Sequence, residues 1–313
     1  MPQSFFILSK ENLELATDEV IAIAKSYDKY AKFDSYFNLL LIQSKTPWYK
    51  IAQRATFVKT SGQIIEKMSN LFLQNSSVLK NSKTIACKII NLSSKKINST
   101  EIVRVMGNMF IKFCQAKVSL EDPDLTIYLV CTNFLSFLGF STRVKKVSRP
   151  KKIVKCPVEL DWKLSRVMIN LAGLKENDVV CDPFCGTGTT LLEAESMGVH
   201  AIGIDFDKKM CEITKKNLAA NGFNSQVINA NFSSILKIKD KIDGIVTDLP
   251  YGMASKSSES PDKLIQKFVR IIPRDKKIAI MCKKGFENKI KLKPTKKYEL
   301  YRHKSLSRTI IVK

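Results

Sequence analysis

The stretch from Val179 to Ala194 constrains the fold of this 313-residue chain more than any other. It begins as a short apolar run that ends in Asp182, continues through a turn with Gly186 and Gly188, and leads into an amphipathic helix. Glycine lacks a Cβ atom, so the backbone at both positions can lie against a ligand or take a positive φ. A strand, a glycine turn and a helix whose amide end faces the ligand are typical of a nucleotide-type cofactor site.

The glycine spacing does not fit the dinucleotide-binding pattern. A Gly-x-Gly-x-x-Gly sequence starting at Gly186 would need a third glycine where the chain has Leu191. A second predicted strand, with Ile245, Val246 and Thr247, is followed by Asp-Leu-Pro-Tyr at 248–251. A pair of glycines is a weak signal alone, and the second strand that ends in an aspartate strengthens it.

Beyond residue 158, apolar strands alternate with amphipathic helices, which predicts a parallel sheet. Ligands bind beyond the carboxyl ends of the strands in such sheets. Asp182, Asp205, Asn231 and Asp248 all fall at or just after predicted strand ends. The pattern therefore predicts that these four polar residues share one edge of the sheet.

The remaining secondary structure predicts a smaller α+β unit before residue 145. We expect a strand over 36–43 and a helix over 64–72 in this unit. A helix is expected over 158–171, ended by Gly173. We expect seven strands in the second half, of which the last two form an antiparallel hairpin.

The chain carries 52 basic and 29 acidic side chains, a formal net charge of +23. Because both halves are basic, the composition favours a polyanionic partner such as a nucleic acid. The alternative is a lysine-rich surface that serves solubility. The 44% hydrophobic content is sufficient for packed cores, and the length suggests two or three domains.

Eight cysteines are present without a Cys-x-x-Cys motif, and His200 and His303 are the only histidines. This composition predicts no metal site and a reducing, intracellular compartment. We see no signal peptide and no apolar run of membrane-spanning length, so we expect a cytoplasmic protein without membrane contact.

Asp-Pro-Phe-Cys-Gly-Thr-Gly at 182–188 and Thr-Asp-Leu-Pro-Tyr-Gly at 247–252 resemble S-adenosylmethionine-dependent methyltransferases that act on planar exocyclic amino groups. Together they are most similar to the THUMP-domain tRNA guanine-N2 methyltransferases, and closest to the archaeal-type guanosine-10 branch. Residues 301–308 resemble the C-terminal His-Arg-Ser-Leu-Thr-Arg signature of that family, with Lys304 and Ser307 as departures. The segments 105–107 and 117–125 are similar to THUMP domains.

The resemblance implies a Rossmann-like class I methyltransferase domain with a seven-stranded sheet. An α+β ferredoxin-like and THUMP region would precede it and bind RNA. The corresponding expected boundaries are 1–50 for the ferredoxin-like module, 51–144 for THUMP, 145–157 for a basic linker and 158–313 for the methyltransferase domain.

The resemblance also implies S-adenosyl-L-methionine as cofactor. Asp182 would lie near its amino-acid half, and Asp205 would accept both ribose hydroxyls. Asn231 stands where the family usually has an aspartate that accepts from the adenine amino group. Phe206 is equally compatible with an adenine contact and with a core aromatic. The expected cofactor-binding residues are Asp182, Phe184, Gly186, Thr187, Gly188, Asp205, Phe206, Asn231 and Phe232.

The expected catalytic residues are Asp248, Leu249, Pro250 and Tyr251. The Asp248 carboxylate and the Leu249 carbonyl would accept the two N–H bonds of the guanine amine, and Tyr251 would stack on the extruded base. Proline suits a rigid turn, since it has a fixed φ and no N–H. No covalent step on Cys185 is expected.

Basic side chains between the two halves and on the last hairpin are expected to contact tRNA. A solvated tether and a purely structural hairpin are the respective alternatives. These expected RNA contacts are Arg143, Lys145, Lys146, Arg149, Lys151, Lys152, Lys304 and Arg308.

The preferred hypothesis is methylation of N2 of guanosine 10 in tRNA. Methylation of another tRNA guanosine and DNA amino-methylation are alternatives within the enzymes. A tRNA-binding protein without catalytic activity is the non-enzyme alternative. The sequence leaves open whether one or two methyl groups are added, the oligomeric state and a partner subunit.

Overall fold

The computed structural model describes residues 2–65, 78, 81–156, 159–250, 260–290, 292–303 and 306–313. The chain divides into two compact units. The first consists of Met1–Thr17, Asp28–Gln53 and Phe57–Lys146, and the second of Asp18–Tyr27, Arg54–Thr56 and Val147–Lys313.

The N-terminal half contains an eight-stranded sheet and three helices among the described residues. Its elements are β1 (Gln3–Leu8), α1 (Leu13–Tyr27), β2 (Lys32–Tyr36), β3 (Leu39–Gln43), α2 (Trp48–Arg54), β4 (Val58–Ile65), β5 (Thr84–Asn91), α3 (Ser99–Cys114), β6 (Lys117–Val118), β7 (Leu125–Cys131) and β8 (Ser136–Thr142). The strand order is β2-β3-β1-β4-β8-β7-β5-β6.

Close packing fixes two glycines in the middle of this sheet. A Cβ atom at Gly62 would lie 2.2 Å from the carbonyl oxygen of Phe140, and one at Gly139 would lie 2.5 Å from the Phe5 ring. Phe5 is fully buried, with its ring centroid 5.7 Å from those of Tyr128 and Phe137. The two glycines therefore make room for the large apolar side chain at the centre of the unit.

Two expectations for this half were wrong. The segment 36–43 was expected to be one strand, whereas β2 ends at Tyr36 and β3 begins at Leu39. A turn separates them, in which Phe37 has a φ of 53°. In the expected helix over 64–72, Ile64 and Ile65 instead end strand β4, and the rest lies outside the described residues.

The second half contains a seven-stranded sheet, as the sequence predicted. Its elements are α4 (Trp162–Leu171), β9 (Val179–Asp182), α5 (Thr189–Ser196), β10 (His200–Asp205), α6 (Lys208–Ala219), β11 (Gln226–Asn229), β12 (Gly244–Asp248), α7 (Pro261–Ile271), β13 (Lys277–Lys283), β14 (Lys296–His303) and β15 (Leu306–Val312). The strand order is β11-β10-β9-β12-β13-β15-β14. Strands β9 to β13 are parallel, and β15 is antiparallel to both its neighbours, which confirms the predicted hairpin.

Helix α4 begins four residues later than the sequence predicted. The side chain of Asp161 accepts hydrogen bonds from the backbone N–H groups of Lys163 and Leu164, at 2.8 and 3.4 Å. A side chain that caps the first free amides of a helix fixes its start. The expected end is confirmed, since Gly173 has a φ of 68° just beyond the last turn.

Residues 147–156, which we call the strap, belong to the second unit. Asn217 on α6 bonds with its side-chain amide to both the N–H and the carbonyl of Val154, and Asn221 does the same to Lys151. The sequence had placed these residues in a linker over 145–157, with a solvated tether as one alternative. The four bonds show that the strap is attached to α6 and to the turn that follows it.

A buried arginine holds the beginning of the strap. Arg166 on α4 donates to the carbonyls of Val147 and Ser148 and forms an ion pair of 2.6 Å with Glu193 on α5. The guanidinium groups of Arg149 and Arg166 lie 5.1 and 5.3 Å from the centre of the Trp162 ring. Cation–π contacts of this kind add to the ion pair.

Candidate active site

Three aspartates end neighbouring parallel strands of the second sheet. Asp182 ends β9, Asp205 ends β10 and Asp248 ends β12. Asn231 follows the end of β11, the next strand of the sheet. The structure thus brings all four polar residues to the same carboxyl edge, where ligands of such sheets bind.

The two glycines of the loop after β9 have different environments. Gly186 has a φ of 50°, and a Cβ atom there would meet nothing within 4 Å. Gly188 has a φ of 84°, and a Cβ atom there would lie 2.7 Å from the methyl group of Thr214. The hydroxyl of Thr214 donates to the Gly186 carbonyl at 2.7 Å. Gly188 is therefore needed for packing, whereas Gly186 borders open space that can admit a ligand.

Asp205 ties the glycine loop to the end of β10. Its Oδ2 accepts from the N–H of Gly186 at 2.9 Å, and its Oδ1 accepts from the N–H of Asp207 at 2.9 Å. Burial raises the pKa of the Asp205 carboxyl above its usual value. Each oxygen retains a lone pair after these bonds, and the side chain is only partly buried, so it can accept further hydrogen bonds.

The aromatic residues near this edge fall into two groups. Phe184, Phe232 and Phe268 form a cluster with ring centroids 5.2 to 5.9 Å apart. Phe206 is 48% exposed, which excludes the core alternative for this ring. Asn231 is also exposed, and its side chain accepts from the N–H of Ser233 at 3.0 Å.

The residues present fit the expected S-adenosylmethionine. Asp205 offers two carboxylate oxygens to a ribose diol, and Phe206 offers an exposed ring face to a planar base. Gly186 leaves room for the ligand beside the loop backbone. An amide side chain such as Asn231 can accept from an amino group, although it carries no charge.

Asp182 faces the protein rather than this open space. It is 3% exposed, and its Oδ1 accepts from the Thr247 hydroxyl at 2.6 Å and from the N–H of Phe184 at 3.1 Å. Burial raises the pKa of the Asp182 carboxyl to about 6. Thr247 directly precedes Asp248, so this bond joins the end of β9 to the end of β12.

Asp248 forms an ion pair with Arg308 on β15. The Nη1 of Arg308 lies 3.0 Å from the Oδ2 of Asp248, and Arg308 is 3% exposed. The expected phosphate contact of Arg308 therefore needs correction, because its guanidinium is inside the protein.

The side chain of Leu249 is buried, and its N–H donates to the Met281 carbonyl at 2.8 Å. Pro250 is partly exposed, whereas Tyr251 and Lys304 lie outside the described residues.

Lys152 of the strap also lies inside rather than on an RNA-facing surface. Its side chain is 10% exposed, and its amine bonds to the Glu159 carboxylate at 2.5 Å and to the Thr189 hydroxyl at 2.6 Å. Thr187 of the glycine loop donates to the same Glu159 carboxylate at 3.2 Å. Burial lowers the pKa of the Lys152 amine. The sequence did not single out Glu159, which here connects the strap to the loop.

The other residues expected to contact RNA differ in their partners. Arg143 forms an ion pair of 3.0 Å with Asp122, and Lys146 donates to the Val58 carbonyl at 3.1 Å. Lys145 and Lys151 are exposed, as is Arg149, whose guanidinium contacts the Trp162 ring. These residues remain predicted RNA contacts.

Cys185 lies in the glycine loop and is 5% exposed. Burial raises the pKa of its thiol well above the usual value, so the nucleophilic thiolate is disfavoured.

Within the described ranges, no group of three or more His, Cys, Asp or Glu side chains could hold a metal ion. Nor does any helix in those ranges have the length and apolar character needed to span a bilayer.

A comparison with protein families agrees with this geometry. The profile of the RMKL-like methyltransferase domain matches residues 149–308. The chain belongs to this methyltransferase family. A second profile, that of a DNA methylase family, matches residues 2–216. The match to the first profile begins within the strap and ends at Arg308.

Two curated relatives carry the same name, tRNA (guanine(10)-N2)-dimethyltransferase. That of Methanothermobacter thermautotrophicus is 36% identical over 182 residues, which are 55% of this chain and 54% of that protein. That of Methanocaldococcus jannaschii is 26% identical over 98% of both chains. This chain therefore spans about half of the first relative and nearly all of the second.

A solved structure shares the fold over the whole chain. The crystal structure of TrmN from Thermus thermophilus matches with a TM-score of 0.54 and 16% identity, covering 100% of this chain and 99% of that one. The order of the seven strands and this likeness agree with the class I methyltransferase fold expected from the sequence.

Proposed function

We propose that this protein is an S-adenosylmethionine-dependent methyltransferase that modifies N2 of guanosine 10 in tRNA. The observation that carries the proposal is the hydrogen bond of 2.6 Å between Thr247 and Asp182. It supports a site in which Asp248 of the Asp-Leu-Pro motif lies beside the glycine loop where the cofactor would bind. The relatives that bear this activity in their names support the choice of substrate.

The target nitrogen is a poor nucleophile, because its lone pair is delocalised into the guanine ring. When bound beside Asp205 and Gly186, the cofactor would supply a methyl group activated on a positively charged sulfur. The methylated nitrogen would carry a positive charge until it lost a proton. The protein must therefore orient the amine in line with the methyl group and stabilise the new charge.

Asp248 and Leu249 are suited to both tasks. The carboxylate of Asp248 accepts one N–H of the amine and offsets the positive charge that develops on nitrogen. The carbonyl of Leu249 accepts the other. The hydrogen bond from the Leu249 N–H to Met281 fixes the backbone that presents this carbonyl. Pro250 restricts the backbone after Leu249 through its fixed φ, and Tyr251 would stack on the base.

The charge of the chain supports tRNA as the partner. A net charge of +23 favours binding to a phosphate backbone, and such binding releases counterions. Affinity for tRNA should therefore fall steeply between 50 and 200 mM salt, by about a thousandfold for a protein with six phosphate contacts. Binding that hardly changes with salt would contradict this assignment.

The proposal also assigns a separate role to each of the two regions of the chain. The α+β region before residue 145 would contain the ferredoxin-like and THUMP modules and bind tRNA, and the region from 158 would hold the cofactor. The cytoplasm is the proposed compartment. All eight cysteines are free and seven of them are buried, which suits a reducing environment.

The test is methylation of an unmodified tRNA transcript with labelled S-adenosylmethionine, followed by mapping of the modified nucleoside. We expect the label on N2 of guanosine 10 and none on a matched transcript with adenosine at that position. Mass analysis of the nucleoside distinguishes one methyl group from two. Label at another nucleotide would overturn the choice of substrate.

DNA is a second candidate substrate, because the DNA methylase profile matches residues 2–216. The same assay with single- and double-stranded DNA tests it, and we expect no transfer. The non-enzyme alternative, a tRNA-binding protein without activity, is tested by binding of S-adenosylhomocysteine. An intact cofactor site predicts measurable affinity.

A further inference from the structure

The final hairpin places a buried cation against the carboxylate of the Asp-Leu-Pro motif. The Nη1 of Arg308 donates to the Oδ2 of Asp248 at 3.0 Å, and the side chains are 4% and 19% exposed. The guanidinium is thus removed from solvent, while the side chain of Asp248 is partly exposed.

Strand β13 lies between the two partners in the sheet. Met281 on β13 is aligned with Asp248 on β12, and Lys283 is aligned with Arg308 on β15. The guanidinium of Arg308 also lies 3.8 Å from the Met281 sulfur. Because the Met281 carbonyl holds the backbone of Leu249, one residue of β13 contacts both the arginine and the backbone after Asp248.

A buried arginine is costly for a fold. The desolvation penalty of a buried ion pair often exceeds its electrostatic gain, so such pairs are weak devices for stability. The pair of Arg308 and Asp248 instead affects the chemical state of the Asp248 carboxylate. A guanidinium at hydrogen-bond distance favours the ionised carboxylate and restricts its rotation.

We propose that Arg308 is a positioning residue that holds the Asp248 carboxylate ionised and oriented for methyl transfer. This inference rests on the proposed function, in which Asp248 accepts an N–H of the target amine. Arg308 acts on the amine only through Asp248, and it makes no contact with tRNA phosphate. The loss of Arg308 should therefore reduce the rate of transfer and leave the binding of both substrates unchanged.

The experiment measures single-turnover methyl transfer at saturating tRNA and cofactor. Arg308→Met is expected to lower the rate about a hundredfold, similar to the loss of one preorganised group in other active sites. Arg308→Lys keeps a positive charge and should recover part of the rate. The dissociation constants for tRNA and S-adenosylhomocysteine should stay within about threefold of wild type, because neither ligand contacts the guanidinium.

A double-mutant cycle with Asp248→Asn tests whether Arg308 acts through Asp248. Two residues that work as one unit are not additive, so Arg308→Met should cost less than about threefold in the Asp248→Asn background. Lys283→Met is the matched control, since it removes an exposed positive charge from the residue aligned with Arg308. Its rate at saturating tRNA should equal that of wild type.

Three results would overturn the inference. A weaker tRNA affinity with a normal rate at saturation would make Arg308 a phosphate contact. Additive losses in the cycle would separate Arg308 from Asp248. A normal rate for Arg308→Lys and Arg308→Met would remove any role.

Thermal melts accompany every variant. If Arg308→Met unfolds, the comparison of Arg308→Lys with wild type decides the matter, and a reduced rate at unchanged melting temperature supports the inference. Wild-type transfer is measured first. Its absence from guanosine 10 rejects the proposed function, whereas normal wild-type transfer with an unaffected Arg308→Met variant rejects only the role of Arg308.

Discussion

Asp182 and Asp248 end adjacent parallel strands and yet have opposite environments. Asp182 is 3% exposed and accepts hydrogen bonds from the Thr247 hydroxyl and the Phe184 N–H. Asp248 is partly exposed and paired with Arg308. Burial raises the pKa of the first carboxyl to about 6, whereas the second has a guanidinium as direct partner.

This difference indicates two kinds of work at one edge of the sheet. Asp182 fixes the shape of the glycine loop and attaches it to β12 through Thr247. Asp248 presents a negative charge where a substrate amine would bind. Substitutions at the two positions should therefore affect different measurements.

The largest effect is expected on catalysis, from Asp248→Asn. The amide keeps the shape of the side chain but removes the charge that offsets the developing cation. Single-turnover methyl transfer should fall about a thousandfold, at the upper end of losses for electrostatic groups in active sites. Affinity for S-adenosylhomocysteine serves as the control and should stay within about threefold. A rate within tenfold of wild type would remove the distinction between the two aspartates.

The second prediction concerns the pH dependence of stability through Asp182. Its pKa of about 6 in the folded protein exceeds the ordinary aspartate value of 3.8, so the folded state binds this proton more tightly than the unfolded chain. The free energy of unfolding should therefore fall as the pH rises from about 4 to about 6 and change little above that. Relative to Asp182→Asn, wild type should lose roughly 3 kcal/mol over this range, at 1.36 kcal/mol per pKa unit.

Urea unfolding of both proteins at several pH values, without added cofactor, measures this difference. The Asn variant carries no titrating group at that position and therefore serves as the reference for all other carboxylates. A constant difference between the two proteins from pH 4 to 7 would show that Asp182 does not titrate in that range.

The third prediction is a loss of stability in Asp182→Ala at pH 5, where wild-type Asp182 is mostly protonated. The substitution leaves the Thr247 hydroxyl and the Phe184 N–H buried without their acceptor. The cost should be about 2 kcal/mol, as for other unsatisfied buried polar groups. Urea denaturation measures it, and a stability equal to wild type would show that the two hydrogen bonds do not contribute.

The smallest effect is expected from Thr247→Val, which removes the hydroxyl between the two strand ends and keeps the branched shape. The free energy of unfolding should fall by about 1 kcal/mol, the net value of one hydrogen bond. Thr247→Ser keeps the hydroxyl and should lose less. A larger loss for Ser than for Val would show that packing of the methyl group, and not the bond to Asp182, matters at this position.

The sequence predicted the strand ends but not the direction of each side chain. Strands β9, β12 and β13 are mainly apolar in their interiors, as expected for strands buried on both faces, and their parallel direction follows from the alternation with helices. An aspartate at the end of such a strand looks the same whether it faces a ligand or a loop. Thr247 was the sequence feature that could have indicated a buried partner for Asp182, since it is the polar residue within the run that precedes Asp248.

The basic residues show the same limit. Lys151 and Lys152 are adjacent in one basic run, but the first is exposed and the second is bonded to Glu159. Composition cannot separate them, because the difference depends on where the fold places each side chain, with the Lys152 amine against Glu159. Arg308 carried a clearer signal, since only Thr309 separates it from the apolar end of β15.

The bond between Thr247 and Asp182 also limits how the enzyme can be redesigned. If residues 248–251 were replaced by the corresponding loop of a relative, the residue just before the replacement would still have to bond to Asp182 at the end of β9. A replacement that begins at position 247 and supplies a hydroxyl there would keep the glycine loop attached to β12. A loop exchange in this protein therefore has to keep the residues at positions 182 and 247 compatible with each other.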